Sequence, residues 1–308
     1  MATAVQVGEY RVVESDVDAL GHMNLRRYAE LAESAAASLF SQLNEVFVDG
    51  SEHAVAITDI TTRQHREQFL GAHINLLGGV VEVDSGGVTF QLELRSMAPT
   101  VAEEQLASTH LLRLGLVDVQ TRSGVALNDG LLQRARHQQC DVLETARPRR
   151  LCSGPMRRVT YDEVAALDHE VWCDRIVQAF DCDPHGWCCA GPTDLAWGPR
   201  SVQRPSTLWQ YQDTDGRAYG LANVEHRRVV LAMPRIGTHI QTVAANVAVE
   251  RIRRVRREWT FDLETGELYA MGEFVDLVVD LEARRAVEIP EGFRTALSRF
   301  LHPELAHD

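Results

Sequence analysis

Two stretches set 165 positions apart spell the same turn: Asp16-Val17-Asp18-Ala19-Leu20-Gly21-His22-Met23 and Asp181-Cys182-Asp183-Pro184-His185-Gly186-Trp187-Cys188. Both read D-x-D-x-x-G, and each follows a short strand-like run, Tyr10-Arg11-Val12-Val13 in one case and Arg175-Ile176-Val177 in the other. Two further echoes keep the same order. Leu70-Gly71-Ala72-His73-Ile74-Asn75 matches Ile236-Gly237-Thr238-His239-Ile240-Gln241 at an offset of 166, and Gln64-His65-Arg66 matches Glu225-His226-Arg227 at an offset of 161. Ordered self-similarity constrains architecture before any other signal. The period is far too long for a solenoid, so the chain reads as one domain built twice. The expected division is a first copy over 1–128, a joining segment with a helix over 129–157, and a second copy over 158–308.

Length and composition agree. A chain of 308 residues accommodates two domains of ordinary size, and 45% apolar residues suffice for real cores. There is no run of about 18 apolar residues of the kind that spans a membrane as a helix. The first residues carry neither a basic flank nor an apolar stretch, so a cytoplasmic protein is expected. All 31 basic residues are arginine, a bias expected of a GC-rich bacterial genome, and lysine chemistry is excluded outright. The net charge of −13 argues against nucleic acid as a partner and disfavours an acidic carrier protein, unless a local arginine patch overrides it. Arg251, Arg253, Arg254, Arg256 and Arg257 form one candidate patch and Arg147, Arg149 and Arg150 another; the plainer reading of such alternating arginines is a solvated strand face. Six cysteines in this setting are expected to be reduced. Cys182, His185, Cys188 and Cys189 are close enough to raise zinc, but no second ligand pair stands at a usual separation, so no metal and no cofactor is expected.

In the first copy a strand over 6–14 leads into the acidic loop, and Asn24 has the chemistry of an N-cap. Leu25, Tyr28, Leu31, Ala32, Ala35, Leu39, Leu43 and Phe47 recur at helical spacing, which predicts one apolar-faced helix of about 22 residues whose alanine-rich centre lies close against a sheet. Strands are expected over 53–64, 73–83, 88–96 and 105–119, and a helix over 131–143. The second copy repeats the order with strands over 217–232, 239–254, 258–262 and 267–281. Its Gly191, Pro192, Gly198, Pro199 and Pro205 exclude a long helix directly after the loop, so a shorter one is expected over 206–212. A last helix is expected over 292–300.

Strand, acidic loop, long helix and four strands is the element order of the hotdog fold. The run Asp16-Val17-Asp18-Ala19-Leu20-Gly21-His22-Met23-Asn24, with Tyr28 and Glu33 on the following helix, resembles the hotdog acyl-thioesterases, whose loop reads D-x-D-x-x-G-H-[VM]-N. Phe180-Asp181-Cys182-Asp183-Pro184 resembles the 4-hydroxybenzoyl-CoA thioesterase version of that loop. The plant-type acyl-carrier thioesterases are also similar at Asp18 and His22, but Leu20 stands where they have an asparagine. The resemblance covers roughly 5–125 and 170–290. It implies an α+β chain of two fused hotdog domains, each an antiparallel sheet wrapped around a central helix, packed as a pseudo-dimer. It also implies acyl-CoA, or an acyl carrier protein thioester, as substrate, and leaves a homo-oligomer of the pseudo-dimer open.

Thioester hydrolysis needs a group that activates water or attacks directly, and a donor for the oxygen that becomes negative. Asp18 has the chemistry of the first. The second is expected from backbone N–H groups over 21–25 at the helix N-terminus, where Gly21 lets a carbonyl approach. The resemblance makes Asp18 the catalytic acid and Asp183 its counterpart in the second copy, with Glu33 as a further catalytic candidate. Gly21, His22, Met23, Asn24, His73 and His239 are the substrate-binding candidates. Each has a plainer role: Asp16 and Asp18 as loop braces, His22 as a packing group, Asn24 as a cap, Tyr28 as core, Glu33 on a solvated face, the strand histidines as surface or core. A hotdog dehydratase or hydratase, or a binder of acyl thioesters without turnover, stays open on sequence alone.

Overall fold

The computed structural model describes residues 4–18, 21–43, 52–97, 104–151, 154–188 and 210–306. The backbone falls into two compact units, Met1–Arg147 and Pro148–Asp308.

The first unit contains β1 (Val5–Arg11), helix α1 (Leu25–Leu43), β2 (His53–Gln64), β3 (His73–Asp84), β4 (Gly87–Met97), β5 (Glu104–Asp118), the short β6 (Gly124–Val125) and α2 (Asp129–His137). Its five long strands form an antiparallel sheet in the order β1-β3-β4-β5-β2. Alternate residues of these strands, Ile74, Leu76 and Val80 on β3, Val88, Phe90, Leu92 and Leu94 on β4, and Leu112, Leu114 and Leu116 on β5, are buried in one core. They meet Tyr28, Ala29, Ala32, Ala35, Ala36, Leu39, Phe40 and Leu43 of α1 in that core. Period two on the strands and a 3.6 period on the helix therefore point at each other. The alanines leave room for close approach, and Gly78 on β3 requires it. A Cβ at Gly78 would stand 2.6 Å from Leu39 Cδ1 and 2.8 Å from Leu92 Cδ1. An antiparallel sheet around one long helix is the hotdog arrangement. The expected helical position Phe47 lies outside the described residues.

Helix α2 is shorter than the expected 131–143. Asn128 caps it by accepting from the Leu131 N–H at 2.9 Å. After His137 the chain turns extended along β3, where the Cys140 N–H donates to Val80 O at 2.8 Å and Gln139 Nε2 to Val81 O at 2.8 Å. Leu131, Leu132 and Ala135 join the first core.

The second unit contains α3 (Tyr161–Ala165), β7 (Glu170–Ile176), β8 (Gln210–Gln212), β9 (Ala218–Val230), β10 (His239–Val249), β11 (Arg253–Asp262), β12 (Leu268–Asp280) and α4 (Glu291–Ser298). Its long strands run β7-β10-β11-β12-β9, the same order as in the first unit. Each unit also closes alike. Beyond α2, Gln139 makes a parallel bridge to Val80, and beyond α4, Leu301 makes one to Asn246.

Three expectations change. Residues 210–212 are a strand, not the end of a helix; the Asp213 carboxylate accepts from the Asp215 and Arg217 N–H groups at 3.0 and 2.9 Å and turns the chain back along β9. The rest of that expected helix lies outside the described residues. The strand expected over 239–254 ends at Val249, because the Glu250 N–H donates to Arg253 O at 2.7 Å and closes a turn, so Arg253, Arg254, Arg256 and Arg257 belong to the next strand. The match of His65 with His226 is not a structural one. His65 and Arg66 donate their N–H groups to Ala107 O, and Leu231 and Ala232 do the same to Tyr269 O, so the counterpart of His65 is Leu231.

Three arginines of the 251–257 patch are not on a solvated face either. Arg254 and Arg256 are 0% exposed and Arg257 is 1% exposed. Gly78 pairs with Leu92 in the first unit as Ala244 pairs with Glu258 in the second. At that register Arg254, Arg256, Glu258 and Thr260 occupy the strand face that Val88, Phe90, Leu92 and Leu94 fill in the first unit. Arg254 Nε lies 3.0 Å from Asp276 Oδ2, Arg256 pairs with Glu258, and Arg228 reaches Glu258 Oε2 at 3.0 Å. The charges are buried because each has a counter-charge.

Candidate active site

The first acidic loop joins β1 to α1, and its two aspartates sit in different surroundings. Asp16 is 2% exposed. Its carboxylate accepts from the Tyr10 hydroxyl at 2.5 Å, the Val13 N–H at 2.9 Å and Arg27 Nε at 2.7 Å. Burial pushes its pKa up, but those three donors outweigh burial and hold it below the usual carboxylate range. Asp16 thus ties β1, the loop and the first turn of α1 together.

Asp18 is about one-third exposed, with 32% of its side chain accessible. Its backbone N–H donates to His22 O at 2.8 Å and its carbonyl accepts from the Gly21 N–H at 3.0 Å, which makes a tight turn. Gly21 stands at φ +87°, in the left-handed region that favours glycine. Nothing lies within 4 Å of a Cβ built there, so backbone angle and not crowding requires the glycine. The Asp18 carboxylate accepts from the His22 N–H at 3.3 Å and lies 3.5 Å from the ring's Nδ1. On the other side of the ring, Nε2 lies 3.5 Å from Glu67 Oε1. Phe69 meets the ring edge-on, with centroids 6.2 Å apart. Glu67 and Phe69 belong to the segment before β3, which is held to the loop by the Met23 N–H donating to Gln68 O at 2.7 Å. Sequence reasoning missed Glu67; its only signal was its place just ahead of the duplicated Leu70–Asn75 stretch. Tyr28, buried beneath, has its phenol raised by burial, against a Gln68 backbone hydrogen bond, and the charges of Glu67 and Asp18 push it further up.

Most amides expected to await a ligand are already engaged. Gly21 donates to Asp18 O, His22 to the Asp18 carboxylate, Met23 to Gln68 O and Asn24 to Asp16 O. Arg26 donates to Asn24 Oδ1 at 2.9 Å, so Asn24 caps α1, and Arg27 donates to Asn24 O. Among the described residues, Leu25 is the one amide over 21–27 that makes no hydrogen bond within the chain. It is the first residue of α1, where the helix dipole favours negative charge.

The remaining candidates are spread out. Met23 is buried in the first core. Glu33 is half-buried on α1, two turns beyond Leu25. His73 is exposed at the start of β3, paired with Arg11 of β1. His239 starts β10, with Nε2 2.7 Å from Asp174 Oδ1.

Among the described residues, the main backbone hydrogen bonds of the first acidic loop recur in the second. The Asp183 N–H donates to Trp187 O at 2.8 Å, the Gly186 N–H to Asp183 O at 2.9 Å, and the Cys188 N–H to Pro234 O at 2.9 Å. Asp181 accepts from the Gln178 N–H and from Arg175, as Asp16 does from Val13 and Arg27. The Val177 N–H donates to Thr238 O and Gly237 returns to Val177 O, as Val12 does with Ala72 and Gly71. The ring chemistry differs. Trp187 replaces His22, and Arg235 replaces Phe69 with its guanidinium 4.5 Å over the indole. Cys189 lies outside the described residues, and among the described residues no cluster of His, Cys, Asp and Glu is arranged to hold a metal ion. Among them also, no helix is long and apolar enough to cross a membrane.

Residues 12–136, which contain this loop, α1 and the first sheet, match the profile of the thioesterase-like superfamily. The likeness in sequence to that superfamily lies within the first unit. Among curated proteins none matches the chain in sequence. Solved structures match it in fold. The 12:0-ACP thioesterase from Umbellularia californica is 9% identical, with 88% of this chain and 93% of that one covered at a TM-score of 0.67. A protein assigned as an oleoyl thioesterase in Lactobacillus plantarum is 12% identical, with coverage of 90% and 97% and a TM-score of 0.64. An acyl-ACP thioesterase from Bacteroides thetaiotaomicron is 11% identical, with coverage of 87% and 96% and a TM-score of 0.57. At such identities the likeness is one of fold.

Proposed function

We propose that this chain is a fused double-hotdog thioesterase that hydrolyses an acyl-CoA. The observation that carries the reading is the conjunction at the first loop of a partly exposed carboxylate, Asp18, with an amide at the start of α1, Leu25, that makes no hydrogen bond within the described chain. Asp18 removes a proton from a water that attacks the thioester carbonyl, or attacks the carbonyl itself to give a mixed anhydride that water then hydrolyses to the free acid. The Leu25 N–H and the α1 dipole stabilise the oxyanion, and thiolate leaves with a proton. Gly21, His22 and Asn24 shape the mouth of that site. Glu33 on α1 and His73 at the start of β3 are further candidates of the same reading, and His239 has the place of His73 in the second copy. The identical strand order and the repeated backbone bonds of the loops support reading the second unit as a second hotdog domain.

Two relatives by fold act on acyl-ACP, which makes a carrier thioester the alternative substrate. Three of the five arginines in the candidate carrier patch are buried against carboxylates, which favours the small CoA thioester. Arg147, Arg149 and Arg150 stay exposed as the remaining contact for a carrier. Thiol release across aliphatic and aromatic acyl-CoAs, with an acyl carrier protein beside them, tests the reading. Turnover of a CoA thioester is expected. A 3-hydroxyacyl-CoA dehydrated without thiol release, or binding without any turnover, would refute it.

A further inference from the structure

We propose that Glu67 is a positioning residue of the first loop, acting through His22; this rests on the thioesterase reading of that loop. An imidazole presents its two nitrogens on opposite sides of the ring and donates from both only when protonated. Here Nδ1 faces Asp18 and Nε2 faces Glu67, each at 3.5 Å. Phe69 fixes the ring plane from its edge. The ring is therefore held between two carboxylates, and any drift toward Glu67 moves it away from Asp18.

Although the Glu67 side chain is 54% accessible, its backbone is not loosely tethered. The next residue, Gln68, is buried, and its carbonyl accepts from Met23, the neighbour of His22. Burial is the main cause raising the Tyr28 phenol, and the charges of Glu67 and Asp18 add to it, so these carboxylates act on one small region from two chain segments. The charged groups brought to His22 are Asp18 from its own loop and Glu67 from the segment before β3.

The second unit lacks all of this. At the matching offset of 166 Met233 stands in place of Glu67, and Trp187 and Arg235 replace the ring and its edge partner. Among the described residues, a ring held between two carboxylates is a property of the first loop, and it distinguishes two loops that share their main backbone hydrogen bonds.

Kinetics and NMR together test this. Glu67→Gln keeps size and removes charge. Its kcat is expected to fall about five-fold, the upper end for so exposed a pair, with KM unchanged. In a His22→Gln background the same substitution is expected to change nothing further, since the coupling runs through the ring. Independently of turnover, the ring nitrogen resonances of His22 at fixed pH are expected to move in Glu67→Gln. Unmoved resonances, or an equal loss of kcat in both backgrounds, would overturn the proposal. If the wild-type protein releases thiol from no substrate, the thioesterase reading fails, and the His22 resonances still decide whether Glu67 holds the ring.

Discussion

Two aspartates two residues apart are fitted by their surroundings for different tasks. Asp16 is buried with three donors and stays ionised, a brace that would make a poor base. Asp18 is partly open and touches a histidine, and it has the exposure a reacting carboxylate needs. The motif showed both residues and the glycine turn, but it did not show Glu67 or the engagement of the loop amides. Glu67 is 45 positions from His22 and comes beside it only through the Met23–Gln68 backbone pair, which no local pattern encodes. Nor did the sequence single out His110, which is wholly buried in β5 with Nδ1 2.9 Å from Thr62 Oγ1 and Nε2 2.8 Å from Ser108 Oγ. Burial, aided by His65, pulls its pKa down to about 3. The unfolded chain takes up a proton near pH 6.5 that the folded chain refuses. Stability from this group is whole above the unfolded value and falls steadily as pH drops from there toward the folded one. Chemical unfolding at pH 7.5 and 5.5 should show the wild type losing on the order of 1 kcal/mol more than His110→Gln between the two. Equal losses would mean that His110 protonates in the folded state.

Elements were legible where one face was apolar. The α1 stripe and the first sheet follow from their periods, and Gly78 is explained by the helix lying over it. The second sheet was harder to read. The β11 stretch alternates as a strand should, but the residues that alternate inward are charged. A solvated face was the expectation because polarity usually marks solvent; here partners on neighbouring strands, invisible in a local window, reverse it. Burial lowers the Arg256 guanidinium to about 9 against the opposing pull of Asp276, which still leaves it charged near neutrality. Asp276 is buried with Arg254 and Arg256 beside it. Replacing one member of such a network strands the others, so Asp276→Asn should destabilise the second unit by about 3–5 kcal/mol. All five tryptophans follow Pro148, so tryptophan emission during denaturant unfolding reports that unit. A change of under about 1 kcal/mol would mean that water or other groups compensate the arginines.

At the scale of the whole chain, the repeat is the main organising fact, and it runs deeper than the spelling. Strand order, both loop turns, and the terminal helix with its parallel bridge recur, even where no residue is shared. Sequence showed the duplication because the loop needs particular residues, whereas the helices that close each unit recur in geometry with little in common in sequence. The halves differ in what the repeated turn presents: His22 held between carboxylates in the first, Trp187 under Arg235 in the second. The central claim is that turnover belongs to the first loop. Thiol release by Asp18→Asn and Asp183→Asn, compared with wild type on the best acyl-CoA, tests it most directly. Asp18→Asn should lose about 10²–10⁴ in kcat, while Asp183→Asn keeps most of it. Equal losses would contradict the asymmetry, and near-normal turnover in Asp18→Asn would contradict the account itself.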